Sequence, residues 1–275
     1  MTPPSLPQEI IDNIIDEFEP VRREKDRTPN KRTLASLSIV ARAWRGRSQQ
    51  HLFSVIDFKP FAVDVTEADL DELGPVFSLT RDLEISGRWQ AFSRFDFVTT
   101  AFLRCFRNLE TLSLTEWDSW RHTTDQFSTC FGHFGETVTD LKLGGDASSE
   151  SLIFLTSMFP RLDALWVLTD FYWGEEPTEI IPKEEFPTTG SFQGYLYLSG
   201  LSEHHNNFLA FLASTSPRFD TICTYNCEPG DGVENLLNSS ATTLESLNFN
   251  LDMDYPGSES PDIFNQLLCS FCFMQ

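Results

Sequence analysis

The sequence predicts an α/β chain in two parts. A small module of three helices spans residues 1–54. A solenoid of strand–helix units spans 55–275, with parallel strands on one face and helices on the other. Three observations predict this. A short apolar-x-apolar strand signal recurs at Ile56, Leu83, Leu112, Leu141, Leu165, Leu196, Ile222 and Leu247, in steps of 24 to 31 residues. Amphipathic stretches of helical length lie between the signals. The first fifty residues carry apolar side chains at helical spacing.

In the first part, Ser5 can cap a helix, with Pro7 in its first turn and Gln8 where a capping box needs it. Ile10, Ile11, Ile14, Ile15 and Phe18 follow on one wide apolar face, which ends at Glu19-Pro20. Residues 21–30 are charged and hold Pro29, and read as an exposed loop. Thr33 can cap a second helical stretch with Leu34 and Leu37 apolar, and Ile39, Val40, Ala43 and Trp44 continue the pattern. Leu52 and Phe53 close the segment. Three short helices bury little surface, so their apolar faces need cover from the rest of the chain or from another protein.

In the second part the local pattern is tighter than the spacing alone. Leu109-x-x-Leu112-x-Leu114, Val138-x-x-Leu141-x-Leu143, Leu162-x-x-Leu165-x-Val167 and Leu244-x-x-Leu247-x-Phe249 share one template, and Phe219-x-x-Ile222 fits half of it, with Thr224 in the last apolar place. Helical stretches are expected at Phe97–Phe106, Asp125–Phe134, Glu150–Phe159, Asn207–Ala213, Gly232–Leu237 and Asp262–Phe271. Each unit exposes an apolar side that only a neighbouring unit can bury, so the units stack. Residues 174–191, rich in Pro and Glu, read as an inserted loop. The chain stops just after a helix signal, at Phe271–Gln275, so a truncated array is expected.

Alternate strand residues point to opposite faces. With the template leucines turned to the core, Trp166, Tyr195, Tyr197 and Tyr225 share the other face in three consecutive units, as a candidate substrate surface. A register error of one residue would send them into the core instead. Trp89, Trp117, Trp120, Tyr172 and Trp173 add an aromatic rim beside acidic residues.

Charge is unevenly spread. Residues 1–50 hold nine Lys or Arg against seven Asp or Glu, whereas residues 51–275 hold eleven against thirty-four. The acidic part repels a phosphate backbone, so nucleic acid is not expected there; either a basic protein or peptide is its partner, or the excess carboxylate simply keeps a Phe-rich chain in solution. No signal peptide or apolar run of membrane-spanning length is visible, so an intracellular, cytoplasmic or nuclear, place away from membranes is expected. The six cysteines then serve mainly as small core residues. No phosphate loop, dinucleotide fingerprint or nucleophile elbow occurs. The spacing of His204 and His205 does not match a zinc protease, and the pair reads as an exposed loop; Cys269-x-x-Cys272 is half of a zinc site at most. No catalytic residue, cofactor or metal is expected.

Leu6-Pro-Gln-Glu-Ile-Ile11-Asp-Asn-Ile-Ile15, then Leu34-x-x-Leu37-Ser-x-Val40-x-Arg-x-Trp44 and the tail Ser48–Phe53, resemble the F-box, and in particular the large F-box families of mushroom-forming fungi. The resemblance covers residues 5–54. It implies docking on a Skp-type adaptor, and through it on a cullin–RING ubiquitin ligase, by Leu6, Pro7, Ile10, Ile11, Ile14, Leu34, Leu37, Val40 and Trp44. A loop longer than usual and Ala41 in place of the common Cys depart from the pattern. The second part resembles an irregular leucine-rich repeat domain. The Asn or Cys usual three residues after the last strand leucine is absent, with Asp146, Asp170 and Asp252 in that place. Together the two resemblances imply a non-enzymatic, substrate-recognition adaptor whose substrate is a protein. The competing expectation is a plain repeat scaffold with no ubiquitin role, in which the first helices are only a cap.

Overall fold

A computed structural model describes residues 7–18, 24–58, 67–86, 101–117, 124–145, 147–169, 192–227 and 231–250. The chain is α/β. Its helices are α1 (Gln8–Asp16), α2 (Glu24–Val40), α3 (Arg42–Leu52), α4 (Glu67–Phe77), α5 (Thr124–Phe131), α6 (Ser149–Ser157), α7 (Asn206–Ser214) and α8 (Asp231–Ser240). Its strands are β1 (Val55–Phe58), β2 (Asp82–Ser86), β3 (Thr111–Trp117), β4 (Asp140–Gly145), β5 (Ala164–Leu168), β6 (Gln193–Ser199), β7 (Arg218–Tyr225) and β8 (Ser246–Asn250). The sheet order follows the chain order, β1 to β8. The chain divides into two compact units, residues 1–85 with 95–112, and residues 86–94 with 113–275.

In the first unit, α1, α2 and α3 close around Ile11, Ile15 and Leu34, with Phe18, Leu37, Trp44 and Leu52 packed on them. Here the structure corrects two expectations. The charged stretch read as a loop is largely the first half of α2, which begins at Glu24, so Thr33 lies inside the helix and caps nothing. Glu, Lys and Arg are good helix formers, so a run of charge does not by itself mean irregular backbone. The helix breaks at Ala41, whose extended backbone (φ −150°, ψ 151°) precedes α3. Pro7 stands immediately ahead of α1 in the cap position, while Ser5 lies outside the described residues. Lys31 Nζ donates to the Val55 carbonyl at 3.0 Å, tying α2 to β1. Beyond the module, Phe58, Phe77, Phe102 and Phe106 cluster in tilted and edge-on contacts with ring centroids 4.5 to 5.2 Å apart. Helix α4, which contributes Phe77, was not anticipated from the sequence.

β1 and β2 pair in parallel with Ile56 opposite Leu83. In the second unit the pairs β4–β5, β5–β6, β6–β7 and β7–β8 are likewise parallel. Their register sets Leu141 opposite Leu165, Leu165 opposite Leu196, Leu196 opposite Ile222, and Ile222 opposite Leu247. These are the positions at which the strand signal recurs. Leu141, Leu165, Leu196 and Ile222 are fully buried. Among the described residues, α6 lies between β4 and β5, α7 between β6 and β7, and α8 between β7 and β8. Ser148 caps α6 by accepting from the Ser151 N–H. Helix α6 buries Leu152, Ile153 and Leu155, and α7 buries Phe208, Leu209, Phe211 and Leu212.

Two further readings are corrected in this unit. His204 and His205 do not form an exposed loop: His205 is buried, its Nδ1 accepting from the Ser202 N–H at 3.2 Å and its Nε2 lying 3.2 Å from the Ala147 carbonyl. Three residues after Thr224 stands Cys227, in a place expected to lack Cys. It is buried, with Sγ 3.5 Å from the Leu198 carbonyl of the neighbouring strand and 3.6 Å from that of Tyr225. Burial pushes its thiol upward, against the pull of nearby backbone hydrogen bonds. Cys130 and Cys227 are buried, and Cys105 and Cys223 half-buried. Asp146, Asp170, Asp252, the stretch 174–191, the rim residues Trp89, Trp120, Tyr172 and Trp173, and the Cys269–Cys272 pair lie outside the described residues.

Candidate functional site

Two surfaces were singled out by sequence, one in each unit. On the first, the structure separates the nine expected partner-facing residues by burial. Ile11 and Leu34 belong to the module's own core. Leu37 and Trp44 pack on that core and are half-buried. Pro7, Ile10, Ile14 and Val40 are exposed, and Leu6 lies outside the described residues. Ile10 and Ile14 are 45% and 39% accessible, and Val40 is 68%. Among the described residues the most exposed large apolar side chain is Ile39, at 80%, which the sequence reading placed in the apolar pattern without assigning it to the partner-facing set. The helical period could have found it. Leu34, Leu37 and Ser38 share the inward face, and Ile39 falls roughly 140° around the helix from Leu34.

Polar ties hold this apolar seam in shape. Gln8 Nε2 donates to the Ala43 carbonyl at 3.1 Å, bringing the start of α1 beside the α2–α3 corner where Ile39 and Val40 project. At the other end of α1, Asp16 accepts from Arg47 Nε at 2.6 Å and Nη2 at 2.9 Å, and meets His51 Nε2 at 2.8 Å. The Arg47 and His51 hydrogen bonds hold the Asp16 carboxyl at about 2, well below its ordinary value of 3.8. A carboxylate held down in the fold adds stability above its unfolded value and loses it as pH falls. The carboxylate is partly open to water, so the expected worth is about 1 kcal/mol. Asp16→Asn should therefore destabilise the protein by about that amount at neutral pH. Its difference from wild type should shrink as pH falls from about 4 to about 2, as read by chemical denaturation across that range.

On the second surface, the structure places Trp166, Tyr195, Tyr197 and Tyr225 on the sheet face opposite the buried leucines, all half-buried. Burial alternates along β4, β5, β6 and β7, which excludes the one-residue register error. Trp166 lies opposite Lys142 on one side and Tyr197 on the other, and Tyr197 lies opposite Cys223. The Trp166 ring sits 4.7 Å from that of Tyr195 and 5.3 Å from that of Tyr197, tilted by 39° and 33°. Lys142 Nζ lies 5.8 Å from the Trp166 centroid, in cation–π range. Burial pushes the Tyr195 phenol far up, reinforced by its hydrogen bond with Cys223, so it stays neutral. Tyr225 ends β7 opposite Ser199. Ring contacts join Trp166 to Tyr195 and Tyr197, as the shared face predicts.

Among the described residues no helix is long and apolar enough to cross a membrane, and no three His, Cys, Asp or Glu side chains converge as metal ligands. No protein-family model matches the chain, and no curated protein matches it in sequence.

Proposed function

We propose that the chain is a substrate-recognition adaptor of a cullin–RING ubiquitin ligase. Helices α1–α3 act as an F-box docking on a Skp-type adaptor, and the strand–helix part acts as an irregular leucine-rich-repeat solenoid that holds a substrate protein. One observation carries this reading. A module of three helices that already closes its own core around Ile11, Ile15 and Leu34 still displays Ile10, Ile14, Ile39 and Val40. Large apolar side chains left exposed on so small a module support a surface meant for cover. Such an adaptor does no bond chemistry. It raises the effective concentration of substrate beside the ubiquitin-loaded enzyme.

The competing reading, a scaffold whose first helices only cap the array, draws on the Lys31–Val55 tie between α2 and β1. Co-expression with a Skp-type adaptor separates the two. The wild-type chain should co-purify with the adaptor. Ile14→Asp with Val40→Asp should abolish co-purification while leaving the melting temperature unchanged, because both side chains are exposed. Failure of the wild-type chain to co-purify, or equal retention of the double variant, would show that the module does not dock in this way.

A further inference from the structure

We infer that the aromatic patch of Trp166, Tyr195 and Tyr197 is the docking site for a protein segment bearing Lys or Arg, held by cation–π contact and by an acidic edge at Asp163, Asp220 and Glu245. The inference rests on the reading of this sheet face as the substrate surface, and names the partner's chemistry.

Three observations converge. The first is placement. A Trp and two Tyr lie on the half-exposed side of the sheet, with rings 4.7 and 5.3 Å apart, although the buried side of the same strands is filled by Leu, Val, Ile and Phe. Rings of this kind, apolar in body and polar at the tip, dominate binding energy where a partner excludes water from them.

The second is that the patch already receives a cation. Lys142 Nζ stands 5.8 Å from the Trp166 centroid, so the ring is open to an ammonium group from the neighbouring strand position. Asp140, two residues before Lys142, lies on the same face of β4.

The third is the edge where the strands begin. The residue after the first apolar position of the strand template is Asp163 before β5, Gln193 in β6, Asp220 in β7 and Glu245 before β8, and all four are exposed. Backbone bonds continue the ladder here, with the Glu245 N–H donating to the Asp220 carbonyl at 2.7 Å and the Tyr195 N–H to that of Asp163 at 2.9 Å. Asp220 and Glu245 are thus about one strand spacing, roughly 4.8 Å, apart, whereas Gln193 lies opposite Arg218 across the bulge at Gly194. Asp163 accepts from Gln193 Nε2 at 2.6 Å, which fixes one carboxylate of the row without neutralising it. Among the described residues of this unit the basic side chains are Lys142, Arg161 and Arg218, and Arg161 is bonded to Glu136 at 3.3 Å. An acidic segment or a phosphate backbone would meet Asp140, Asp163, Asp220 and Glu245 together. A basic segment meets aromatic faces on a sheet side that also carries Asp140, with exposed carboxylates at Asp163, Asp220 and Glu245 where the strands begin.

The test is fluorescence anisotropy with the full-length chain at about 0.15 M salt. The probes are a labelled peptide alternating Gly with Arg and Lys, its Glu counterpart, and an oligothymidylate. The basic peptide should bind and the other two should not. Tyr197→Ser and Trp166→Leu should each weaken binding about tenfold or more. Asp220→Asn with Glu245→Gln, at exposed positions that do not threaten folding, should weaken it several-fold and flatten its salt dependence. Basic-peptide binding that all these variants leave unchanged would be diffuse attraction to a chain of net charge −21 and would overturn the inference. So would preferential binding of the Glu peptide or the oligonucleotide, or no binding of the basic peptide. Adaptor co-purification is a separate readout, so failure of either proposal is seen without the other.

Discussion

Leu165→Ala is expected to lower the free energy of unfolding by about 3–4 kcal/mol and the melting temperature by about 10 °C. Leu165 is fully buried at the second position of β5, with Leu141 opposite it on β4 and Leu196 on β6. A residue flanked by two strands that are themselves bonded on both sides leaves a hole that backbone movement cannot close, so transfer and cavity costs add. The control lies three residues on. Leu168 is 40% accessible in the same strand, and Leu168→Ala should cost less than about 0.5 kcal/mol. Urea denaturation of both variants gives the comparison. Equal costs would mean that the inward and outward faces of β5 are misassigned. The aromatic patch would fall with them, since Trp166 is placed by the same alternation.

That alternation explains why so much of the second unit was legible. Spacing located each strand, and period-two patterning within the template set which residue faces inward. Parallel strands in chain order then pair like positions, which is why Leu141, Leu165, Leu196, Ile222 and Leu247 fall opposite one another. The aromatic patch followed from the same logic, since Trp166 and Tyr197 hold the same template place in β5 and β6.

What was missed depends on forces that local pattern does not carry. A charged segment with one Pro scores as loop, yet residues 24–32 are helical, because Glu, Lys and Arg favour helix once one turn is anchored. His205 reads as exposed from its neighbours Glu203, His204 and Asn206. Its burial depends on the Ala147 carbonyl, 58 residues away, which only the fold brings near. Cys227 is hidden in the sequence because Thr224 interrupts the apolar template from which its place would be counted; its thiol reaches the Leu198 carbonyl of the preceding strand all the same. On the helical module, the apolar face was legible but its division into core and seam was not. Ile11 and Leu34 turn inward because the other two helices close over them, a choice that periodicity alone leaves open.

Gly200→Ala is expected to destabilise the protein by about 3 kcal/mol, although Gly→Ala replacement commonly stabilises by about 0.4–1 kcal/mol where the backbone allows it. Gly200 follows β6 with φ +70°, a conformation in which a side chain is strained. A Cβ there would land on the carbonyl oxygen of Thr169, a backbone atom rather than the end of a flexible side chain. Retreat is blocked on both sides. The Gly200 N–H donates to the Tyr225 carbonyl at 3.0 Å, and Thr169 Oγ1 donates to the Gly200 carbonyl at 2.8 Å. Any shift that relieves the overlap therefore loosens the ends of β5, β6 and β7 together. Gly46→Ala supplies the contrast. Gly46 lies in α3 with open space where its Cβ would be, so the substitution should stabilise by about 0.5–1 kcal/mol. Denaturant midpoints of the two variants moving in opposite directions are the expected result. A Gly200→Ala midpoint at or above that of wild type would mean that β5 and β6 do not end in the close approach described, and that the turn is free to open.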